Sequence, residues 1–173
     1  MLAKLVGVGI VIGAMGWSGL RKGAELSRRS AELRQLRIDL SFLEKEIGYA
    51  RTPLVHAMER TARISGYPVN ILFEETCRAL KRDPSMVARD AWEVGVKALA
   101  KRSCLAVEDL GVLKAIGERM GTSDVSDQVN MLRLATEELK VQEEKARQKE
   151  TSEKKIWSYG GFLAGLMISI LML

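Results

Sequence analysis

The sequence predicts an all-α protein, a six-helix antiparallel bundle flanked by an N-terminal and a C-terminal transmembrane helix. The chain has 173 residues with 27 Lys and Arg and 22 Asp and Glu, and every charge except that of Lys4 lies within residues 21–155. Both ends are therefore apolar. Between them apolar residues recur at steps of three, four and seven, as on one face of a helix, and no stretch shows the period of two expected of a strand.

Each apolar end is nearly long enough to cross a bilayer as a helix. Sixteen uncharged residues separate Lys4 from Arg21, and the last eighteen residues carry no charge. At 1.5 Å per residue, these runs reach about 24 and 27 Å, against a hydrocarbon core of about 30 Å. We therefore predict membrane spans at residues 1–20 and 156–173, and a helical domain with charged stalks at residues 21–155.

Two alternatives to the membrane spans remain open. Each run could be a buried core helix, and the first could be a cleavable signal peptide. Signal cleavage requires a site with small residues after the apolar run, whereas this run leads directly into Arg21 and Lys22. The basic pair is more typical of a stop sequence.

Basic residues beside the two apolar runs predict the orientation. Because cytoplasmic flanks carry an excess of Lys and Arg, residues 21–155 are expected in the cytoplasm and both termini outside. Trp side chains favour the interface between lipid and water, and two of the three Trp lie near this predicted inner interface. The predicted interface anchors, which would contact the lipid bilayer, are Trp17, Arg21, Lys22, Lys154, Lys155 and Trp157.

Both apolar runs also contain glycines four residues apart. The pairs are Gly9 with Gly13 and Gly161 with Gly165. This spacing lets helix backbones approach closely in lipid, so these glycines are candidates for helix–helix packing. The contact could lie within the chain or with a partner, and a homo-oligomer stays open.

Periodicity and helix-breaking residues divide the central segment into six helices. We predict them at about 23–50, 53–65, 68–82, 85–101, 105–120 and 124–155. Two of the starts are expected at Thr52-Pro53 and Asp83-Pro84, each read as an N-cap followed by proline at the first helical position. Short connections between the helices favour antiparallel neighbours.

The residues that carry chemistry do not form a recognisable catalytic, cofactor or metal site. His56 is the only histidine, and Cys77 and Cys104 are isolated thiols without a paired motif. The central segment has 26 basic and 22 acidic residues interspersed along its length, which does not favour nucleic-acid binding. The sequence therefore predicts neither an enzyme nor a cofactor.

Three polar residues near predicted helix junctions are candidates for binding a partner. They are Asp109, which is predicted to face away from the apolar stripe of its helix, and Asp124 and Gln128 after the turn at Gly121. Helix capping and turn formation are the alternative roles for all three.

A longer series of residues makes the chain resemble the stage III sporulation protein AB family of endospore-forming bacteria. The series consists of Thr52-Pro53-Leu54, Ala57, Leu72-Phe73, Ala91-Trp92, Asp109, Gly117, Gly121, Asp124, Gln128, Lys154-Lys155 and the hydrophobic tail from Gly161 to Leu166. The individual motifs are weak, and their order together with the two apolar ends carries the resemblance. One departure is Ile116 before Gly117, where many members of the family have Phe.

The resemblance implies more than the residue pattern does. The cytoplasmic region of this family is similar to the helical F domain of platform proteins from type II secretion and type IV pilus systems. Members belong to the channel complex between mother cell and forespore. A non-enzymatic platform in the mother-cell membrane around the forespore is implied, with a companion secretion-type ATPase and other membrane proteins of the complex as partners. The alternative is a membrane-tethered helical sensor or regulatory domain outside sporulation.

Overall fold

The computed structural model describes residues 2–83, 85–120 and 124–172, with side chains over residues 24–83, 85–120 and 124–152. These residues form six helices and no strand, which confirms the predicted all-α architecture. The helices are α1 Leu2–Gly48, α2 Leu54–Ile64, α3 Asn70–Arg82, α4 Ala88–Ala100, α5 Val107–Arg119 and α6 Val125–Met172. The connections from α1 to α6 are short, as predicted.

The chain divides into two compact units. One comprises Met1–Arg28 and Lys145–Leu173, and the other, here called the head, comprises Arg29–Glu144. In the part of the chain that the structure describes, no helix combines the length and the apolar character needed to cross a bilayer. The side chains of residues 1–20 and 156–173 lie outside the described residues, so the two membrane spans stay predictions.

The core of the head begins with the apolar stripe of α1. Leu33, Leu36, Leu40 and Leu43 are completely buried, at the helical spacing that the sequence shows. The other helices contribute buried side chains at similar steps because each presents one apolar face to the interior. These include Met58, Leu72, Phe73, Trp92, Leu99, Leu113, Ile116, Leu132 and Leu139.

Within the head, α1 and α6 run antiparallel. Arg37 of α1 pairs with Glu143 of α6, with Nη1 2.5 Å from Oε2. About two turns further along α1, Glu44 Oε1 lies 3.5 Å from Nε of Arg133. Residue numbers rise along one helix as they fall along the other, so these two helices are antiparallel although they are not consecutive in the chain. Contacts between consecutive helices join α2 to α3, α3 to α4 and α4 to α5.

Trp92 holds three of these helices together. Its indole Nε1 donates a hydrogen bond of 2.6 Å to the carbonyl oxygen of Leu113 in α5. The ring of Phe73 in α3 meets it edge to face, with centroids 6.1 Å apart. Gly117 lies directly against the indole, because a Cβ added there would be 2.7 Å from Cδ1 of Trp92. The largest side chain of the core therefore has a satisfied polar group and a tightly fitted neighbour.

The structure corrects the two predicted proline caps. The Thr52 hydroxyl donates to Oε2 of Glu46 over 2.9 Å, and Pro53 itself precedes α2 without a side-chain cap. Asp83 ends α3, and its Oδ1 accepts hydrogen bonds from the backbone N–H and the hydroxyl of Ser85. The carboxylate is therefore hydrogen-bonded within this local turn and does not cap α4, which begins only at Ala88.

Candidate functional site

Asp109 lies in the first turn of α5, where a carboxylate is favoured by the unpaired backbone N–H groups of the helix start. Its Oδ2 accepts a hydrogen bond of 2.8 Å from the backbone N–H of Ala106, the residue that precedes the helix. This is half of a capping box, with the acidic side chain reaching back to the cap residue. Alanine at the cap position cannot supply the other half.

The same carboxylate forms a two-pronged ion pair with Arg29 of α1. Arg29 Nε donates to Oδ2 over 2.8 Å, and Nη2 donates to Oδ1 over 2.9 Å. The side chain of Asp109 is completely buried and that of Arg29 is 13% exposed. The hydrogen bonds to Asp109 raise the pKa of the Arg29 guanidinium. The pair connects helices that are 80 residues apart in sequence.

The burial of Asp109 differs from the expectation that it faces away from the core. Three N–H groups already donate to its carboxylate, and no part of the side chain reaches the surface. Its predicted role in partner binding remains untested, and this geometry favours a role in holding α1 against α5. The sequence signal that points to the cap is the acidic residue in the first turn, whereas nothing local points to Arg29.

Asp124 and Gln128 lie together at the start of α6. Oδ1 of Asp124 accepts from the backbone N–H of Val125 over 2.7 Å, and Oδ2 accepts from the Ser126 hydroxyl over 3.2 Å. The backbone N–H of Gln128 donates to the carbonyl oxygen of Asp124 over 3.0 Å. The carboxylate therefore satisfies donors in the first turn of α6. Asp124 is nevertheless exposed and Gln128 half-buried, so a partner could still contact them.

The residues predicted to act at the membrane cannot be placed. The candidate packing glycines Gly9, Gly13, Gly161 and Gly165 lie outside the residues whose side chains and surroundings the structure describes. The same holds for the interface anchors Trp17, Arg21, Lys22, Lys154, Lys155 and Trp157. Their roles stay predictions.

His56 and Cys77 have the surroundings of structural residues, with no feature of a catalytic or metal site among the described residues. His56 is exposed, with Nδ1 3.3 Å from Oε2 of Glu59 one helical turn away. Cys77 is buried, and its thiol lies 3.5 Å from the carbonyl oxygen of Val55. Burial raises the pKa of the Cys77 thiol to about 11, so it stays protonated at neutral pH. Over residues 24–83, 85–120 and 124–152, no three His, Cys, Asp or Glu converge as metal ligands would.

A second buried carboxylate, which the sequence analysis did not single out, lies on α1. Asp39 is completely buried, and burial raises the pKa of its carboxyl group. Gln35 Nε2 donates to Oδ1 over 2.8 Å, and the Ser65 hydroxyl donates to Oδ2 over 2.5 Å. Both hydrogen bonds act in the opposite direction and stabilise the charged form. Asp39 thus joins α1 to the residue that follows α2.

The outward side of α1 forms the floor of an open groove of about 490 Å³, here called the basic groove. Its floor is apolar at Ile38 and Phe42, and Ile64 from the end of α2 forms one edge. Thr136 of α6 also lines it. The charged residues that line it are Arg34, Arg37 and Lys45. Helical periodicity marks only the inward stripe of α1, so this surface was not predicted.

Comparison with known proteins identifies the family. The family model for stage III sporulation protein AB matches residues 4–173. A curated relative, stage III sporulation protein AB of Bacillus subtilis (strain 168), is 33% identical over 172 residues, which cover 99% of this chain and 100% of the relative. This match spans the head and both apolar ends.

A solved structure of a stage III sporulation protein AB is also similar to the present fold. It shares 34% sequence identity and superimposes with a TM-score of 0.67, over 72% of this chain and 98% of the solved chain. The agreement in sequence over nearly the whole length and in the arrangement of the helices leads to one conclusion. The chain belongs to the stage III sporulation protein AB family.

Proposed function

We propose that the protein is a non-enzymatic, membrane-anchored platform of a sporulation channel complex that docks a companion secretion-type ATPase at the cytoplasmic face. Membership of the family supports a role in sporulation. The observation that carries the platform proposal is how the polar residues of the head are distributed between its interior and its surface. Its buried carboxylates at Asp39 and Asp109 are engaged in contacts that hold helices together, while charged and apolar side chains line an exposed groove.

Anchoring at the membrane is part of this proposal. Two uncharged runs at the chain ends support it, as does the family match, which extends over both of them. Basic residues on the inner flanks favour a cytoplasmic head with both termini outside. Alkaline phosphatase fused after Leu173 should be active outside the cytoplasm. Activity of a cytoplasm-dependent reporter at the same position would overturn this topology.

Docking of the ATPase can be tested by co-purification. The full chain, extracted in detergent, is expected to retain the folded companion ATPase on a column. Asp109→Lys serves as the control, because it places a second cation beside Arg29, at a completely buried position, and should disrupt the head. Retention of the ATPase by the native chain alone would support a folded docking surface. If neither protein retains it while both partners are folded, the docking proposal is wrong.

A further inference from the structure

The floor of the basic groove is an exposed apolar strip on α1, on the side of the helix that faces away from the core. Leu36 and Leu40 point into the core, and Ile38 lies about 200° around the helix from each, at 100° per residue. Ile38 is 52% exposed, and Ile64 at the edge of the groove is also 52% exposed. Phe42 is half-buried between them. Such a strip with a charged border is typical of a surface that a partner covers.

The charges along this strip have one sign. Among the residues that the structure describes, the charged side chains that line the groove are Arg34, Arg37 and Lys45, all of them basic. Arg34 and Lys45 are exposed, and within the described residues neither takes part in an ion pair. The groove is therefore complementary to a negatively charged surface.

Within the described residues, the nearby carboxylates leave Arg34 and Lys45 without a counter-ion, because each of them pairs with another cation. Glu44 pairs with Arg133, and Glu46 pairs with Arg60 over 3.1 Å. Glu143 of α6 pairs with Nη1 of Arg37 and so neutralises this one of the three groove cations.

Arg37 has a further donor to offer. Its Nε–H is buried and has no hydrogen-bond acceptor in the described part of the chain. Buried donors without an acceptor are rare in folded proteins, so each one calls for an explanation. If a carboxylate of a partner entered the groove, the guanidinium could rotate and donate hydrogen bonds both to Glu143 and to that carboxylate.

We propose that the basic groove binds an acidic amphipathic helix of a partner protein in the sporulation complex, an inference that rests on the proposed platform function. A helix laid along α1 would cover Ile38 and Phe42 with apolar residues spaced three and four apart. Arg34 and Lys45 are eleven residues apart, or about 16 Å along the axis of α1. The partner helix therefore has about three turns and carries carboxylates near both ends.

The contact can be located by photo-cross-linking in the full chain. A photoreactive amino acid replaces Ile38 in sporulating cells that depend on this protein, and the cross-linked peptide is identified by mass spectrometry. The same substitution at Val107, which is 82% exposed on α5 and outside the groove, is the matched control. The expected product joins Ile38 to a helical segment with Asp or Glu about eleven residues apart. A peptide from a second copy of this chain, a peptide without acidic residues, equal yields at both positions, or no product at Ile38 would overturn the proposal.

Charge reversal tests the electrostatic part of the proposal. Arg34→Glu with Lys45→Glu should reduce the yield of the Ile38 product about tenfold, because two attractive contacts become repulsive. Lys101→Glu with Arg102→Glu changes the net charge equally at exposed positions outside the groove and should leave the yield unchanged. Circular dichroism of both purified double variants confirms that the helices persist. Equal yields from the two double variants would contradict the proposal.

These results separate the groove from the docking of the ATPase. If the ATPase does not co-purify but Ile38 cross-links to an acidic helix of another protein, the groove proposal stands and the ATPase proposal falls. If the ATPase co-purifies and its cross-links arise elsewhere on the head, the reverse holds.

Discussion

At the scale of single residues, the described part of the head contains two completely buried carboxylates, and they have different partners. Asp109 faces a cation, Arg29, at 2.8 and 2.9 Å, whereas Asp39 is held by the neutral donors Gln35 and Ser65. A buried charge is costly unless it is paired or hydrogen-bonded. The two sites are therefore expected to respond differently when the charge is removed.

Asp109→Asn should destabilise the head strongly. The substitution keeps the size of the side chain but leaves the mostly buried Arg29 charge without its counter-ion, which costs about 3 kcal/mol of unfolding free energy. Asp124→Asn is the matched control, because Asp124 is exposed and asparagine also caps helices, so its effect should stay within about 0.5 kcal/mol. Denaturant unfolding of the full chain in detergent, followed by circular dichroism, measures both. Similar losses in the two variants would contradict the structural role of the pair.

Asp39→Asn should instead remove a pH dependence. Burial raises the folded-state pKa of Asp39 above its ordinary value of 3.8, so the folded protein binds this proton more tightly than the unfolded chain does. Stability from this group is fully present below the ordinary value and is lost as the pH rises through the folded-state value. Compared with Asp39→Asn, the native chain should therefore lose stability as the pH rises through that window. Parallel stability curves for the two proteins would show that Asp39 does not titrate in this way.

At the scale of helices, the packing of α5 against α4 depends on one of the two glycines of α5. Gly111 and Gly117 both lie in α5, six residues apart. A Cβ at Gly117 would meet Trp92 at 2.7 Å, whereas a Cβ at Gly111 would meet nothing within 4 Å. The two positions therefore make an internal comparison.

Gly117→Ala should destabilise the head by about 2 kcal/mol, because the added methyl group forces the indole of Trp92 out of its place. Gly111→Ala should stabilise it by up to about 1 kcal/mol, since alanine favours the helix and the site is open. Unfolding of each variant by denaturant shows directly whether the free energy of unfolding falls or rises relative to the native chain. An equal gain in stability for both would mean that Trp92 can move at little cost.

The helices themselves were predictable, because their signals are local. Leu33, Leu36, Leu40 and Leu43 follow one another at helical spacing in the sequence, and all four are completely buried. The predicted helix boundaries within the head lie within three residues of those observed. The proline caps were wrong. Thr52 is hydrogen-bonded to Glu46, and Asp83 to Ser85. For a short polar side chain, capping a helix and bonding to another nearby polar group differ little in free energy, so the sequence does not predict which one forms.

At the scale of the whole molecule, the compact head predicts a fragment that folds by itself. The buried residues of α1 to α5 and the first part of α6 lie within Arg29–Glu144, which is a typical domain length. Residues 24–152, produced without the chain ends, should be helical and unfold in one cooperative transition. A fragment ending at residue 120 lacks Leu132 and Leu139 of α6 and should not, because the core is left open. Gradual, non-cooperative unfolding of residues 24–152 would contradict this division.

The sequence by itself determined the elements and the family. Helical periodicity, the uneven distribution of charge and the order of weak motifs are visible without a structure, because each depends on neighbours along the chain. The family comparison confirmed the resemblance over residues 4–173.

Only the tertiary structure decided which polar residues are buried inside the head and which are exposed on its surface. Asp109 was predicted at the surface and is buried against Arg29, 80 residues away, while Arg34 and Lys45 border an open groove. Helical spacing gives the angle of a side chain around its own helix, but its burial depends on which other helix packs there. That choice is made by contacts between residues far apart in sequence, which no local pattern records.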